Sequence, residues 1–155
     1  MMRVLYLTFD DLSRSGPWSA HVKRVADVLG AKVVAAPRRF DRLSACATSF
    51  LNEARAYKPD VILSRGIHLS VAPALAAARA GVPLVVEIDS LLEDQVRGKI
   101  RRAMIRAAHR FTLARAARVV ASSAELRDAL VERYGYPEKR VDVGDVEASV
   151  RKSLR

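Results

Sequence analysis

Charged side chains that could bind a ligand or transfer a proton follow two short apolar segments of this 155-residue chain. Asp89 and Glu93 come after the segment PLVVEI, and either carboxylate could hydrogen-bond to a hydroxyl group or accept its proton. Arg65 and His68 come after the segment DVILS, where a guanidinium could hold an anion. We therefore take Asp89 and Glu93 as candidate catalytic groups and Arg65 and His68 as candidate binding groups. Two alternatives stay open: Asp89 caps the following turn, and His68 has no role in binding.

Two further loops carry candidate binding residues. Ser15 and Gly16 precede a helical pattern, and backbone N–H groups at a helix N-terminus suit an anion such as phosphate. An ordinary strand-to-helix loop would have the same sequence. Ser123 also opens a helical segment and lies in a loop of the same kind, so it is a candidate for ligand binding as well as a helix cap.

The elements that must position these residues alternate between short apolar runs and longer segments with helical periodicity. This alternation predicts an α/β fold: a Rossmann-like open sheet, mostly parallel, with helices on both faces. In such a sheet the ligand lies beyond the carboxyl ends of the strands, where all the candidate loops fall. The predicted strands are 3–9, 32–36, 60–64, 83–88, 118–122 and 140–143, and the predicted helices are 18–29, 43–57, 69–80, 98–116 and 123–134.

Composition limits the class of protein. A chain that is 50% hydrophobic and 28% charged is neither disordered nor of low complexity, and its length suits one domain. The single cysteine, Cys46, excludes an internal disulfide framework and falls on an apolar helical face. A formal net charge of +10 suggests anionic partners. No signal peptide or membrane span is visible, so we expect a soluble cytoplasmic protein that could meet the inner face of a membrane from outside.

Several familiar chemistries are disfavoured. The loop after the first strand has one glycine, which argues against a standard dinucleotide fold, and the chain has no P-loop motif. Asp10 and Asp11 suggest the acidic pocket of a receiver domain, but Ser64 and Arg65 stand where its phosphoacceptor aspartate would be. The histidines are far apart in sequence, so we expect no metal site, and we favour a structural over a catalytic role for His21.

Five short motifs, taken in order, resemble the N-terminal domain of GT-B-fold glycosyltransferases of the family 4 (group 1) type. They cover roughly residues 3–143. They are His21-Val22 in the first helix, PDVI at 59–62, GVPLV at 81–85, a loose match at 116–126 that includes Ser123, and YGYP at 134–137 followed by Arg140-Val141.

The resemblance implies that residues 1–143 form the acceptor-binding half of such an enzyme and that 144–155 is a tail or the start of an interdomain connection. A second domain, in cis or in trans, would bind the nucleotide-sugar, which is a co-substrate; no cofactor is expected. The chain would be inactive alone, whether it is a piece of a longer enzyme or a split subunit. By their location alone, the resemblance implies which residues bind the acceptor or an anion: Ser15, Gly16, Arg65, His68 and Ser123. Self-association is a further expectation.

One helical segment concentrates the positive charge. Between Arg97 and Arg118 there are eight Arg or Lys and no acid. Helical spacing predicts that Ile100, Met104, Ala107, Ala108 and Phe111 face the sheet. The same spacing puts Lys99, Arg102, Arg106 and Arg110 on another face, which we expect to meet an anionic membrane or a phosphorylated lipid acceptor.

Two other readings remain open. A non-catalytic module that binds polyanions, nucleic acid included, would also be basic, although only 6% of the residues are aromatic and none interleaves with the basic stripe. A small-ligand protein of another Rossmann-like family is disfavoured by the missing glycine motif.

Overall fold

The strands form one six-stranded sheet in which every neighbouring pair is parallel. A computed structural model describes residues 2–36, 43–66 and 70–154. The order of the strands is β2-β1-β3-β4-β5-β6, which confirms the predicted open sheet. Their bounds are β1 Val4–Thr8, β2 Lys32–Ala35, β3 Val61–Arg65, β4 Leu84–Ile88, β5 Ala116–Ala121 and β6 Val141–Val143.

In the described ranges, six α-helices connect or follow the strands. Their bounds are α1 Pro17–Leu29, α2 Leu43–Tyr57, α3 Ala72–Ala80, α4 Lys99–Arg115, α5 Ala124–Tyr134 and α6 Val146–Ser153. Local sequence explains their ends: Pro17 occupies the first position of α1, where no backbone N–H is needed. Helix α5 ends at Gly135, whose φ of 62° lies in the left-handed region that favours glycine.

Alternating residues of the strands divide the core between the two faces of the sheet. Val4, Tyr6 and Leu63 pack with α1 and α6 on one face, whereas Leu5, Leu7 and other strand residues pack with α2 to α5 on the opposite face. Since side chains alternate along a strand, Arg65 lies on the same face as Leu63, the α1 face. Helices therefore cover both faces, as predicted, and Cys46 is buried among the core residues of the α2 face.

The last residues form a helix that the sequence analysis does not predict. The Asp145 carboxylate caps α6 by accepting a hydrogen bond from the Ala148 N–H at 2.8 Å. Val150 is fully buried on the α1 face, and α6 contacts β4, β5 and α1. Residues 146–153 thus pack against the sheet, and the assignment of 144–155 to an interdomain connection stays a prediction.

The predicted apolar face of α4 is wrong at three of its five positions, whereas Ala108 is buried and Phe111 packs against the core. Ile100 is 80% exposed and Met104 50% exposed, and Ala107 also faces solvent. The buried face is instead made of Ile105, Ala108, His109, Thr112 and Leu113. Hydrophobic periodicity misses this face because two of its five residues are polar. The buried Glu93 carboxylate contacts His109 there, with 3.3 Å between His109 Nδ1 and Glu93 Oε2.

Candidate functional site

Polar side chains from three neighbouring strands converge at the carboxyl edge of the sheet. Arg65 ends β3, Asp10 follows β1, and Asp89 follows β4. The Arg65 guanidinium is buried and donates to both acids: Nη1 reaches Asp10 Oδ2 at 3.3 Å, and Nη2 pairs with Asp89 Oδ2. The Asp89 side chain is 33% exposed, so the most accessible group of this trio is a carboxylate. The parallel topology thus brings together Arg65 and Asp89, two of the predicted site residues.

Trp18 covers this trio from α1. Its indole ring centre lies 4.4 Å from the Arg65 guanidinium carbon, within the range of a cation–π contact. The side chain is nevertheless 55% exposed. Pro17 starts α1 immediately before it, so the first turn of the helix fixes the position of the ring at the carboxyl edge.

The predicted anion-binding loop before α1 is exposed, but one of its donors is used. The Gly16 N–H donates to Ser19 Oγ at 3.1 Å, and the Ser19 hydroxyl donates back to the Gly16 carbonyl at 3.0 Å. Gly16 has an extended backbone with φ of 178°, and an added Cβ would meet nothing within 4 Å. An alanine side chain at this position would therefore clash with no neighbouring atom of this structure.

A chain of hydrogen bonds runs beneath the trio on the same face of the sheet. The Tyr6 hydroxyl donates to Glu87 Oε2 at 2.6 Å, and Glu87 Oε1 pairs with His21 Nε2. Arg24 lies 3.1 Å from His21 Nδ1, and since a guanidinium only donates, Nδ1 accepts and Nε2 carries the hydrogen that Glu87 accepts. Burial, and next the Glu87 carboxylate, raise the pKa of the Tyr6 hydroxyl well above its usual range, so Tyr6 remains a donor.

Glu93, the second predicted catalytic acid, lies on the opposite face of the sheet. It belongs to a 3₁₀-helix, Leu92–Gln95, and is 1% exposed between α4 and α5. The Tyr134 hydroxyl donates to it, and Arg106 and Arg133 each approach Glu93 Oε1 to 3.6 Å. Burial, and next this carboxylate, raise the pKa of Tyr134 above its usual range. These contacts join two helices, so the structure does not bring Glu93 together with Asp89.

Two predicted binding residues remain, Ser123 and His68. Ser123 caps α5, where its Oγ accepts from the Leu126 N–H at 3.2 Å. The neighbouring Ser122 hydroxyl donates to the Asp89 carbonyl at 3.3 Å, which holds this loop beside the trio. His68 lies outside the described residues. Within the described part of the chain, no three His, Cys, Asp or Glu side chains are grouped to hold a metal ion.

The predicted cationic face of α4 is exposed. Lys99, Arg102, Arg106 and Arg110 are all exposed, and Ile100 and Met104 add apolar surface to the same helix. We call this set of six residues the α4 face. Because α4 follows β4 in a parallel sheet, its first turn with Lys99 and Ile100 starts from the carboxyl edge. Within the described ranges, no helix is long and apolar enough to cross a membrane.

Sequence reasoning missed four members of the site: Tyr6, Asp10, Trp18 and Glu87. Two of them carried a recognisable signal. Glu87 is an acid inside an otherwise apolar strand, and a buried carboxylate needs partners. Trp18 is a large aromatic residue next to a helix-starting proline, directly after the loop that follows β1.

Solved structures share this architecture. UDP-N-acetylglucosamine 2-epimerase from Rickettsia bellii matches 92% of this chain and 44% of its own length, with 15% identity and a TM-score of 0.59. MnaA from S. aureus, solved with UDP, matches 92% and 43%, with 15% identity and a TM-score of 0.63. HepE from Anabaena, solved with UDP and glucose, matches 92% and 44%, with 18% identity and a TM-score of 0.63. At these identities the likeness shows the fold alone.

The fold is that of the N-terminal half of a GT-B structure, and the chain spans less than half the length of these matched proteins. Residues 3–144 match the model of the glycosyl transferase 4-like domain, and the chain belongs to this family of glycosyltransferases. The resemblance predicted from the order of the motifs is thereby confirmed. No curated protein matches the sequence significantly.

Proposed function

We propose that this chain is the acceptor-binding half of a glycosyltransferase whose nucleotide-sugar donor is held by a second domain, in cis or in trans. The observation that carries the proposal is the trio of Asp10, Arg65 and Asp89 at the carboxyl edge of the sheet. Ligands bind at this edge in open α/β sheets, and the family is one of glycosyltransferases. The isolated half binds the acceptor and does not transfer sugar.

Within this proposal, Asp89 contacts the reacting hydroxyl of the acceptor. Its carboxylate is partly exposed, and Arg65 fixes its position from below. Asp89 acts first by orienting the hydroxyl and accepting its hydrogen bond, because a carboxylate oxygen is a hydrogen-bond acceptor. Ser15 and Gly16 offer the N-terminus of α1 to a phosphate of the donor, and Ser123 caps α5 beside the loop that Ser122 links to Asp89.

The test measures donor binding and transfer separately. UDP-glucose titrated into the isolated chain in a calorimeter is expected to give no heat of binding, because the donor site lies in the other half. Transfer should appear once the chain is joined to, or mixed with, its donor-binding half. Asp89→Asn should then lower kcat at least tenfold, and Asp94→Asn should not, although Asp94 is also an exposed acid paired with an arginine. Tight UDP-glucose binding by this chain alone would contradict the proposal.

We propose further that the α4 face docks on an anionic membrane that carries a lipid-linked acceptor. Its four cations are exposed, and Ile100 and Met104 can enter the boundary between headgroups and acyl chains. Each cation near such a surface contributes about 1 kcal/mol. The phosphate of the acceptor would meet α4, while its sugar reaches the carboxyl edge where α4 begins.

Sedimentation with vesicles tests the docking. Binding to phosphatidylglycerol-rich vesicles at low salt should exceed binding to phosphatidylcholine vesicles. Replacing Lys99 and Arg102 by Gln should weaken it about 30-fold, as expected for about 2 kcal/mol. The matched control replaces Arg55 and Arg79 by Gln, two exposed cations in the last turns of α2 and α3. Equal binding to both vesicle types would refute the docking. A salt-dependent shift of duplex DNA with no preference for either vesicle would favour the polyanion-binding module.

A further inference from the structure

The indole ring of Trp18 is exposed to solvent but rests on a polar group, the Arg65 guanidinium, and not on the hydrophobic core. A tryptophan that is 55% exposed gains little from burial, yet its ring lies against the Arg65 guanidinium. Arg65 is in turn fixed by Asp10 and Asp89, so the ring rests on a rigid base. An aromatic surface that is already immobilised loses little conformational entropy when a ligand stacks on it.

Among the described residues at this ring, two acids pair with one arginine, although the chain as a whole carries +10. Arg65 contributes one positive charge, and Asp10 and Asp89 contribute two negative charges. Glu87 adds a third carboxylate beneath them, where it pairs with His21. An anion at this place would meet carboxylates, and the guanidinium that could attract it is buried under both acids and the indole.

The groups that a ligand can reach are thus the Trp18 indole ring and, next to it, carboxylate oxygens, which only accept hydrogen bonds. Asp89 is the more exposed of the two acids, at 33% against 20% for Asp10. A ligand that fits must present C–H groups to the ring and hydroxyl donors to the acid. An uncharged pyranose has both, on adjacent parts of one molecule.

We infer that Trp18 and Asp89 form a subsite for an uncharged pyranoside, in which the indole stacks on the ring and Asp89 accepts from its hydroxyl groups. The inference rests on the proposed function in so far as this sugar is the acceptor. In such a subsite, the carboxylates of Asp10 and Asp89 repel phosphorylated and carboxylated sugars. The phosphate of a lipid-linked acceptor must then lie away from Trp18, on the α4 face.

Trp18 is the only tryptophan of the chain, so its fluorescence reports on the subsite without a label. The isolated chain is titrated with methyl glycosides of glucose, galactose, mannose and N-acetylglucosamine, and with glucose 6-phosphate and glucuronate as anionic probes. At least one neutral glycoside should change the emission saturably. The anionic sugars should need at least tenfold higher concentration. N-acetyltryptophanamide measured in parallel corrects for optical effects of the added sugar.

Asp89→Asn distinguishes recognition by the carboxylate from stacking alone. We expect this variant to bind the neutral glycoside several-fold more weakly and to show a smaller difference in affinity between neutral and anionic sugars. The control variant Asp94→Asn should change neither quantity. Tighter binding of an anionic sugar, or no saturable response to any of the neutral glycosides, overturns the inference. If the neutral glycoside changes the Trp18 fluorescence saturably but the chain transfers no sugar when combined with its donor-binding half, the glycosyltransferase proposal is refuted and the subsite is supported.

Discussion

The hydrogen bond between Tyr6 and Glu87 should contribute more to stability than the hydrogen bond of the buried Tyr136 on the opposite face of the sheet. The Tyr6 side chain is fully buried, and its hydroxyl donates at 2.6 Å to a buried carboxylate. Tyr6→Phe keeps the ring and removes only this donor. Hydrogen bonds to charged groups contribute about 1.5–3 kcal/mol, and the carboxylate stays buried with one partner fewer. We expect the free energy of unfolding to fall by about 2–3 kcal/mol.

Tyr136 provides a matched control. It is 5% exposed, and its hydroxyl donates to the neutral carbonyl of Ala116 at 3.0 Å. Tyr136→Phe should therefore cost about 1 kcal/mol, the usual contribution of a hydrogen bond between neutral groups. The difference between the two variants isolates the effect of a charged acceptor in a buried position, because the volume removed is the same.

Urea denaturation followed by far-UV circular dichroism measures both variants without using Trp18, which lies near the cluster. With a urea m value of about 2 kcal/mol per molar, Tyr6→Phe lowers the midpoint by roughly 1 M. The Glu87→Gln variant completes a double-mutant cycle, in which we expect Tyr6 and Glu87 to be coupled by more than about 1 kcal/mol. The reasoning is refuted if Tyr6→Phe costs no more than Tyr136→Phe at an unchanged m value, or if the cycle gives no coupling.

Two further predictions concern the acid stability and the helix ends. Burial alone would raise the pKa of Asp142, but hydrogen bonds from Arg118 and Lys152 hold it well below its usual 3.8. Asp142→Asn should therefore cost about 2 kcal/mol at pH 7, and the deficit should shrink as pH falls below about 4, where the acid becomes protonated in the unfolded chain while the folded protein still holds it ionised. Urea midpoints at pH 7, 4 and 3 check this; a deficit that does not change with pH would contradict it. Gly135→Ala should cost about 1 kcal/mol because φ is 62°, whereas Gly16→Ala, in extended backbone with open space, should be neutral or slightly stabilising in thermal melts. Equal losses for the two glycines would contradict the assignment of strain to Gly135.

Most of the fold could be predicted because its elements follow local patterns. All six strands are short apolar runs, and five of the six helices have an apolar stripe or an ending glycine. The helix α6 was missed because eight residues with Val146 and Val150 give a weak periodicity. Its cap, Asp145, was the stronger signal. The apolar face of α4 was wrong at three positions because the helix buries His109 and Thr112, which periodicity counts as polar and therefore exposed.

The site could be predicted only in part. Arg65 and Asp89 could be found because each directly follows a predicted strand, and the carboxyl ends of parallel strands lie at one edge of the sheet. No sequence pattern gives the pairing of Arg65 with two acids, since it depends on side-chain geometry across three strands. Glu93 stands four residues after Asp89, and only the path of the 3₁₀-helix at Leu92–Gln95 sends it to the opposite face.

The bond between Tyr6 and Glu87 joins residues that are 81 positions apart in sequence. On the ribosome, the first strand and the first helix therefore emerge long before the acid that both Tyr6 and His21 require. Until β4 has been synthesised, the Tyr6 hydroxyl lacks the Glu87 carboxylate that accepts its hydrogen bond in the folded protein. Burying Tyr6 before that point would leave its hydroxyl without this acceptor. The fourth strand thus sets the moment at which the nascent chain can complete the α1 face of its sheet.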